Sequence, residues 1–138
     1  MIYSYSTTPQ TLEADQDVVF TIDEVKTGCT VTHSAGTTTF VFNKPGYYFV
    51  SFDGVASATA AATDPIVVQL YNGAVALPGA TTSALSAAAD TPVPLAVSTI
   101  IQVRPNCPAI DNTVSLVVKN VGIEANYTNV GITITKLC

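Results

Sequence analysis

Apolar and polar positions follow a two-residue period along most of the chain, and residues 40–55, FVFNKPGYYFVSFDGV, set the pattern. An apolar run, a Pro-Gly turn and a longer apolar run predict two strands joined by a tight connection. Pro45 fixes its own φ and cannot donate to a ladder, while Gly46 can take the positive φ of a type II turn. After the turn both parities are apolar, with Tyr47 and Phe49 on one face and Tyr48, Val50 and Phe52 on the other. A strand apolar on both faces belongs inside a sheet, away from its edge.

The same reading extends along the chain. Residues 1–17 are polar and acidic and read as an arm or irregular lead-in, followed by a domain over 18–138. Residues 18–22 (VVFTI) form a first strand, 23–28 a turn, 29–33 a short strand, and 38–42 lead into the opening motif, whose second strand can run to Ala58. Small residues 57–64 read as a loop. In the strand 66–71, Ile66, Val68 and Leu70 face one way and Val67, Gln69 and Tyr71 the other. Asn72-Gly73 predicts a type I′ hairpin into 74–77, which Pro78-Gly79 cuts short. Residues 80–90 read as a strand of small side chains and 93–103 as a long strand. A Pro-flanked loop covers 104–108. Residues 113–119 are a strand with Val114, Leu116 and Val118 inward, 120–129 a polar connection, and 130–137 a final alternating strand. Eight or more strands without a helix make an all-β sandwich.

Composition adds one unusual feature. Charged residues make up 11% of the chain, less than half the typical share, while 48% is hydrophobic. No apolar run approaches the length of a membrane span, and no secretory signal is expected at the start MIYSYSTTPQ. The five basic residues, Lys26, Lys44, Arg104, Lys119 and Lys136, are scattered in sequence within a chain of net charge −5, so no nucleic-acid partner is expected. Between Gly54 and Val103 the only charges are Asp64 and Asp90. A surface so poor in charge is most simply covered by copies of the same chain or by a lattice.

Chemistry is sparse. His33 beside Ser34 has no GxSxG elbow with it and reads as a loop histidine, while Asp53, Asp64 and Glu124 are isolated acids in turns. No metal-ligand spacing or phosphate loop occurs, so neither a cofactor nor an enzymatic activity is expected. Cys29, Cys107 and Cys138 are odd in number. They are either reduced thiols or a Cys29–Cys107 disulfide with Cys138 free.

The segment Phe42, Pro45, Gly46, Tyr47, Tyr48, Phe49 resembles the "F…PGYY.F" marker of the tumour-necrosis-factor/complement-type jelly roll, and the likeness runs from Val18 onward. VVQLYNGAVALPG, followed by VPLAVSTIIQV, is similar to the heads of bacterial collagen-like spore-surface proteins, although their Gly-X-Y stalk is missing. The N-terminus YSYSTTPQTLEADQDVVFT with its following Cys-containing strand resembles small capsid-associated proteins of phages of Gram-positive bacteria.

This resemblance implies a TNF-like jelly roll of two antiparallel sheets in a compact homotrimer. One face of the 47–55 strand would fill the sandwich and the other the three-fold axis, with Tyr48, Val50 and Phe52, or their opposite-face neighbours, as interface candidates beside Val67, Gln69 and Tyr71. It implies a decoration or auxiliary protein on the exterior of a virion capsid. Ile2, Tyr3, Tyr5, Pro9 and Leu12 of the arm would dock on the major capsid protein. The alternatives are a host-receptor-binding fibre tip, whose loops 56–64, 104–108 and 120–129 could hold a surface glycan, and a spore-surface protein.

Overall fold

The computed structural model describes residues 1–61 and 63–138 and contains two six-stranded antiparallel sheets. The first sheet sets β10 (Val93–Val103), β7 (Gly46–Ala58), β12 (Ala125–Lys136), β1 (Ile2–Ser6) and β4 (Ile22–Lys26) side by side. β2 (Gln10–Leu12) pairs with the start of β12. The second sheet orders β5 (Val31–Thr32), β6 (Phe40–Phe42), β11 (Val114–Asn120), β8 (Ile66–Asn72) and β9 (Val75–Ala84), with β3 (Gln16–Asp17) paired to β11. No helix occurs among the described residues, and the expected jelly-roll sandwich of two antiparallel sheets is the observed architecture.

The core lies between the sheets. β7, the second strand of the Pro-Gly motif, is central in the first sheet, flanked by β10 and β12 along nearly its whole length. Its inward residues Tyr48, Val50 and Phe52 are fully buried. Phe20 meets Phe40 and Phe52 edge-on, at 5.4 and 6.4 Å between ring centroids, and Phe42 stacks on Tyr48 at 4.7 Å. Opposite them, β8 contributes Ile66, Val68 and Leu70, and β11 contributes Val114, Leu116 and Val118, in the alternation expected.

Several elements differ from expectation. Residues 1–17 are not an arm: β1 is inserted between β12 and β4, and Ile2, Ser4 and Ser6 are buried. The inward hydroxyls are matched locally, Ser4 Oγ donating to Asp23 Oδ1 at 2.6 Å and Thr21 Oγ1 to Ser6 Oγ at 3.2 Å. The expected strand at 18–22 is displaced into β4, across the expected turn at 23–28. The hairpin after β8 turns at Gly73-Ala74, because Asn72 pairs with Val75 and only Gly73 has positive φ (+59°), the type II′ pattern. β9 passes through Pro78-Gly79 because it is an edge strand, where proline loses no ladder bond, and a bulge opposite Gln69–Tyr71 absorbs Gly79 at φ +78°. The small-residue strand expected at 80–90 ends as strand at Ala84. The loop expected at 57–64 begins only after Ala58, and Ala62 within it lies outside the described residues. β12 begins at Ala125, inside the expected polar connection.

A polar joint closes one end of the core. Asn120, fully buried, donates through Nδ2 to the carbonyls of Leu12 and Ile123, both at 3.0 Å, and its Oδ1 accepts the Tyr127 hydroxyl at 2.8 Å. Burial holds the Tyr127 phenol above its ordinary pKa.

Candidate functional site

Directly opposite residues in a sheet share a face, so the strand register gives the outer surface of the first sheet row by row. One row runs Ile100, Phe49, Thr135, and the next Ser98, Ser51, Thr133, Tyr3, Val25. A third runs Ala96, Asp53, Gly131, Tyr5, Ile22, while Gln102 and Tyr47 pair at the end of the sheet. Large apolar side chains stand open on this surface: Tyr47 is 45% exposed, Phe49 and Tyr3 37%, and Ile100 61%. Tyr3 lies 5.8 Å from Tyr5 between ring centroids, and the Tyr47 hydroxyl accepts from Gln102 Nε2 at 3.3 Å. Gly131 leaves a dent in this surface. A Cβ there would sit 3.3 Å from Asp53 Oδ1 and 3.6 Å from the Tyr3 ring, and the resulting depression of about 310 Å³ is lined by Tyr3, Asp53 and Asn129.

The charge-poor stretch 54–103 supplies β8, β9 and β10, and thereby one flank of the sandwich, where the edge strands β9 and β10 of the two sheets lie against each other. Val75, Leu85 and Ile100 are exposed along this flank. The flank is poor in charge, and the sheet surface sets Tyr3, Tyr47, Phe49 and Ile100 among serines and threonines; the two meet at Ile100.

The residues expected to line a trimer axis divide between the core and the outer surfaces. Tyr48, Val50 and Phe52 face the sandwich core, so they cannot form an interface; their opposite-face neighbours Tyr47 and Phe49 hold the open positions. Val67, Gln69 and Tyr71 lie on the outside of the second sheet, half-buried. Gln69 Nε2 is committed to the Leu77 carbonyl at 2.7 Å, and Lys119 Nζ lies 5.3 Å from the Tyr71 ring centroid. Of the expected arm contacts, Ile2 and Leu12 are core, Pro9 is exposed in the loop after β1, and Tyr3 and Tyr5 join the open surface. The tyrosines of IYSYS alternate with the buried Ile2, Ser4 and Ser6, a two-residue period that could have marked them as a strand face. Cys29, Cys107 and Cys138 are all free and exposed, so the Cys29–Cys107 disulfide is not formed.

His33 lies in the loop after β5, as expected, but its side chain is buried and not at the surface. Its buried ring stacks on Phe40 at 4.1 Å, with Nδ1 2.6 Å from Asp23 Oδ1 and Nε2 3.0 Å from the Thr37 carbonyl. Ser4, Asp23 and His33 therefore meet, but the serine hydroxyl donates to the carboxylate and not to the imidazole. The proton acceptor of a nucleophilic serine is thus turned away from it. The cluster ties β1, β4 and the chain after β5 together. Burial alone would raise the Asp23 pKa; hydrogen bonds from Ser4 and His33, with the charges of His33 and Lys26, hold it below the ordinary value.

No family model and no curated protein matches the chain in sequence. Among solved structures it is similar to the PRD1 vertex protein P5, with 15% identity, covering 99% of this chain and 96% of that one at a TM-score of 0.59. It is also similar to the Eiger TNF of S. frugiperda, with 13% identity, 99% and 92% coverage and a TM-score of 0.65. Murine APRIL matches with 13% identity, 99% and 98% coverage and a TM-score of 0.57. At such identities the likeness speaks for fold alone, and the chain has the TNF-like jelly-roll fold from end to end.

Proposed function

We propose that the chain is a virion structural protein, a homotrimer closed through the open surface of its first sheet and carried on the exterior of a phage capsid. The observation that carries this reading is that Tyr3, Tyr47, Phe49 and Ile100, on neighbouring rows of one sheet surface, stand uncovered while the sheet's other side already fills the core. A three-fold ring uses two different patches of each protomer. The open sheet surface and the β9–β10 flank supply them, which also accounts for the missing charge between Gly54 and Val103.

The full-length likeness in fold to a vertex protein supports a place on a virion. With residues 1–17 committed to the sheets, attachment to the major capsid protein falls to one end of the trimer. Purified particles test this. Immunogold labelling should decorate the outside of intact heads, in a copy number that is a multiple of three, and absence of the chain from purified particles would refute it.

A further inference from the structure

We infer that the cavity between the β6–β7 turn and the loop after β10 is a binding site for an anionic saccharide, held by Lys44 and Arg104. The chain has five lysines and arginines in all. Two are neutralised on the protein: Lys26 pairs with Asp23 at 3.7 Å and Lys119 with Asp17 at 3.1 Å. Among the described residues the remaining three, Lys44, Arg104 and Lys136, have no carboxylate within 4.0 Å.

All three come together at one end of the sandwich, although the sequence scatters them. Lys44 and Arg104 line a single cavity of about 320 Å³, and the Lys136 side chain packs against Gly46 at the turn. The Cys138 terminus lies at the same turn beside the Lys136 side chain, which leaves Lys44 and Arg104 as the cations that line the cavity. Asp111 lines the adjoining cavity together with Arg104 and offsets part of its charge there, but it does not line the Lys44–Arg104 cavity itself; its Oδ1 accepts the Thr113 backbone N–H at 2.9 Å and the Thr113 hydroxyl at 2.6 Å. Those bonds hold its pKa below the ordinary value.

The remaining lining suits a sugar better than a bare ion. Asn43, Asn106 and Asn112 line the cavity, each fixed by one end of its amide. Asn43 Nδ2 donates to the Cys29 carbonyl at 3.1 Å, Asn106 Oδ1 accepts the Asn112 backbone N–H at 2.7 Å, and Asn112 Nδ2 donates to the Pro105 carbonyl at 2.7 Å. Fixed in this way, the opposite ends of the amides, two acceptors and one donor, remain for ligand hydroxyls at little ordering cost. Phe42, Pro45 and Val103 supply an apolar wall for the C–H face of a ring. The volume suits one or two sugar rings. This site does not depend on the trimer.

The intact ¹⁵N-labelled protein tests it, titrated separately with D-glucuronic acid, N-acetylneuraminic acid, D-glucose and sodium sulfate. Saturable amide shifts at residues 43–46 and 104–113 are expected with at least one acidic sugar, and none with glucose. Lys44→Ala and Arg104→Ala should each weaken binding about tenfold or more, with the spectrum elsewhere unchanged. Asn106→Ala should weaken the sugar and leave sulfate unaffected. Whichever acidic sugar binds more tightly identifies the carboxylate source. Sulfate matching the sugars would reduce the site to simple anion binding, and both acidic sugars failing to shift these residues, or binding unchanged in the cation variants, would overturn it.

Discussion

Tyr48 and Phe49 are neighbours in sequence and opposites in environment, so the same substitution at each separates core from assembly surface. Tyr48 is fully buried and its hydroxyl donates to the Lys44 carbonyl at 2.6 Å. A charge there has no partner, and Tyr48→Asp is expected to give unfolded, insoluble protein. Phe49 is 37% exposed in the free chain. A phenylalanine presents about 200 Å², so about 75 Å² of it remains to be covered, at about 2 kcal/mol per protomer and about 6 kcal/mol per trimer. Phe49→Asp removes that contribution and adds the cost of desolvating a carboxylate at each of the three interfaces. Together these exceed what a protomer interface of ordinary size can spare. The isolated chain loses little, since the new carboxylate stays in water. Light scattering coupled to gel filtration should find Phe49→Asp as a soluble monomer with an unchanged far-ultraviolet spectrum. A fully assembled Phe49→Asp protein would refute the assignment of this surface to the interface, and an unfolded one would place Phe49 in the core.

Asn120→Ala should cost about 2–4 kcal/mol in urea unfolding, because it orphans the Tyr127 hydroxyl and the carbonyls it joins; a loss under about 0.5 kcal/mol would mean the joint is slack. Asp23 has a folded-state pKa below its ordinary 3.8, so its stabilisation is complete above that value and disappears as pH falls through the lowered one. Asp23→Asn should therefore be less stable than the parent at pH 6 and show a shallower loss of urea midpoint on acidification, whereas parallel profiles would contradict the linkage. Gly122→Ala places a Cβ 2.7 Å from the Pro65 carbonyl oxygen and the Val67 nitrogen, so a loss of about 1–3 kcal/mol is expected in thermal unfolding, and an unchanged midpoint would show that this backbone can yield.

The central strands were legible because their inward parity is uniformly large and apolar, as in Ile66, Val68 and Leu70 or in Val130, Ile132 and Ile134. β1 was not, because its pattern is inverted. Its buried positions include Ser4 and Ser6, satisfied by Asp23 and Thr21 from a distant part of the chain, while tyrosines occupy its open side. β4 was hidden for the same reason, with Asp23 turned inward to meet Ser4 and His33. Pro78-Gly79 reads as a terminator unless the strand is known to be an edge, which only the sheet order reveals. At the candidate surface the difficulty was one of parity. Both faces of β7 are aromatic, and which one is core depends on where β6, β8 and β11 pack, information absent from the local pattern. The basic cavity was invisible for a related reason, since Lys44 and Arg104 are sixty residues apart in sequence and meet only when β7 and β10 pair.

The mass of the unmodified protein in solution bears most directly on a trimer closed through the first sheet. Native mass spectrometry at micromolar concentration should find a single species of three times the 14.3 kDa chain. A species at 14.3 kDa, persisting as the protein is concentrated, would contradict it.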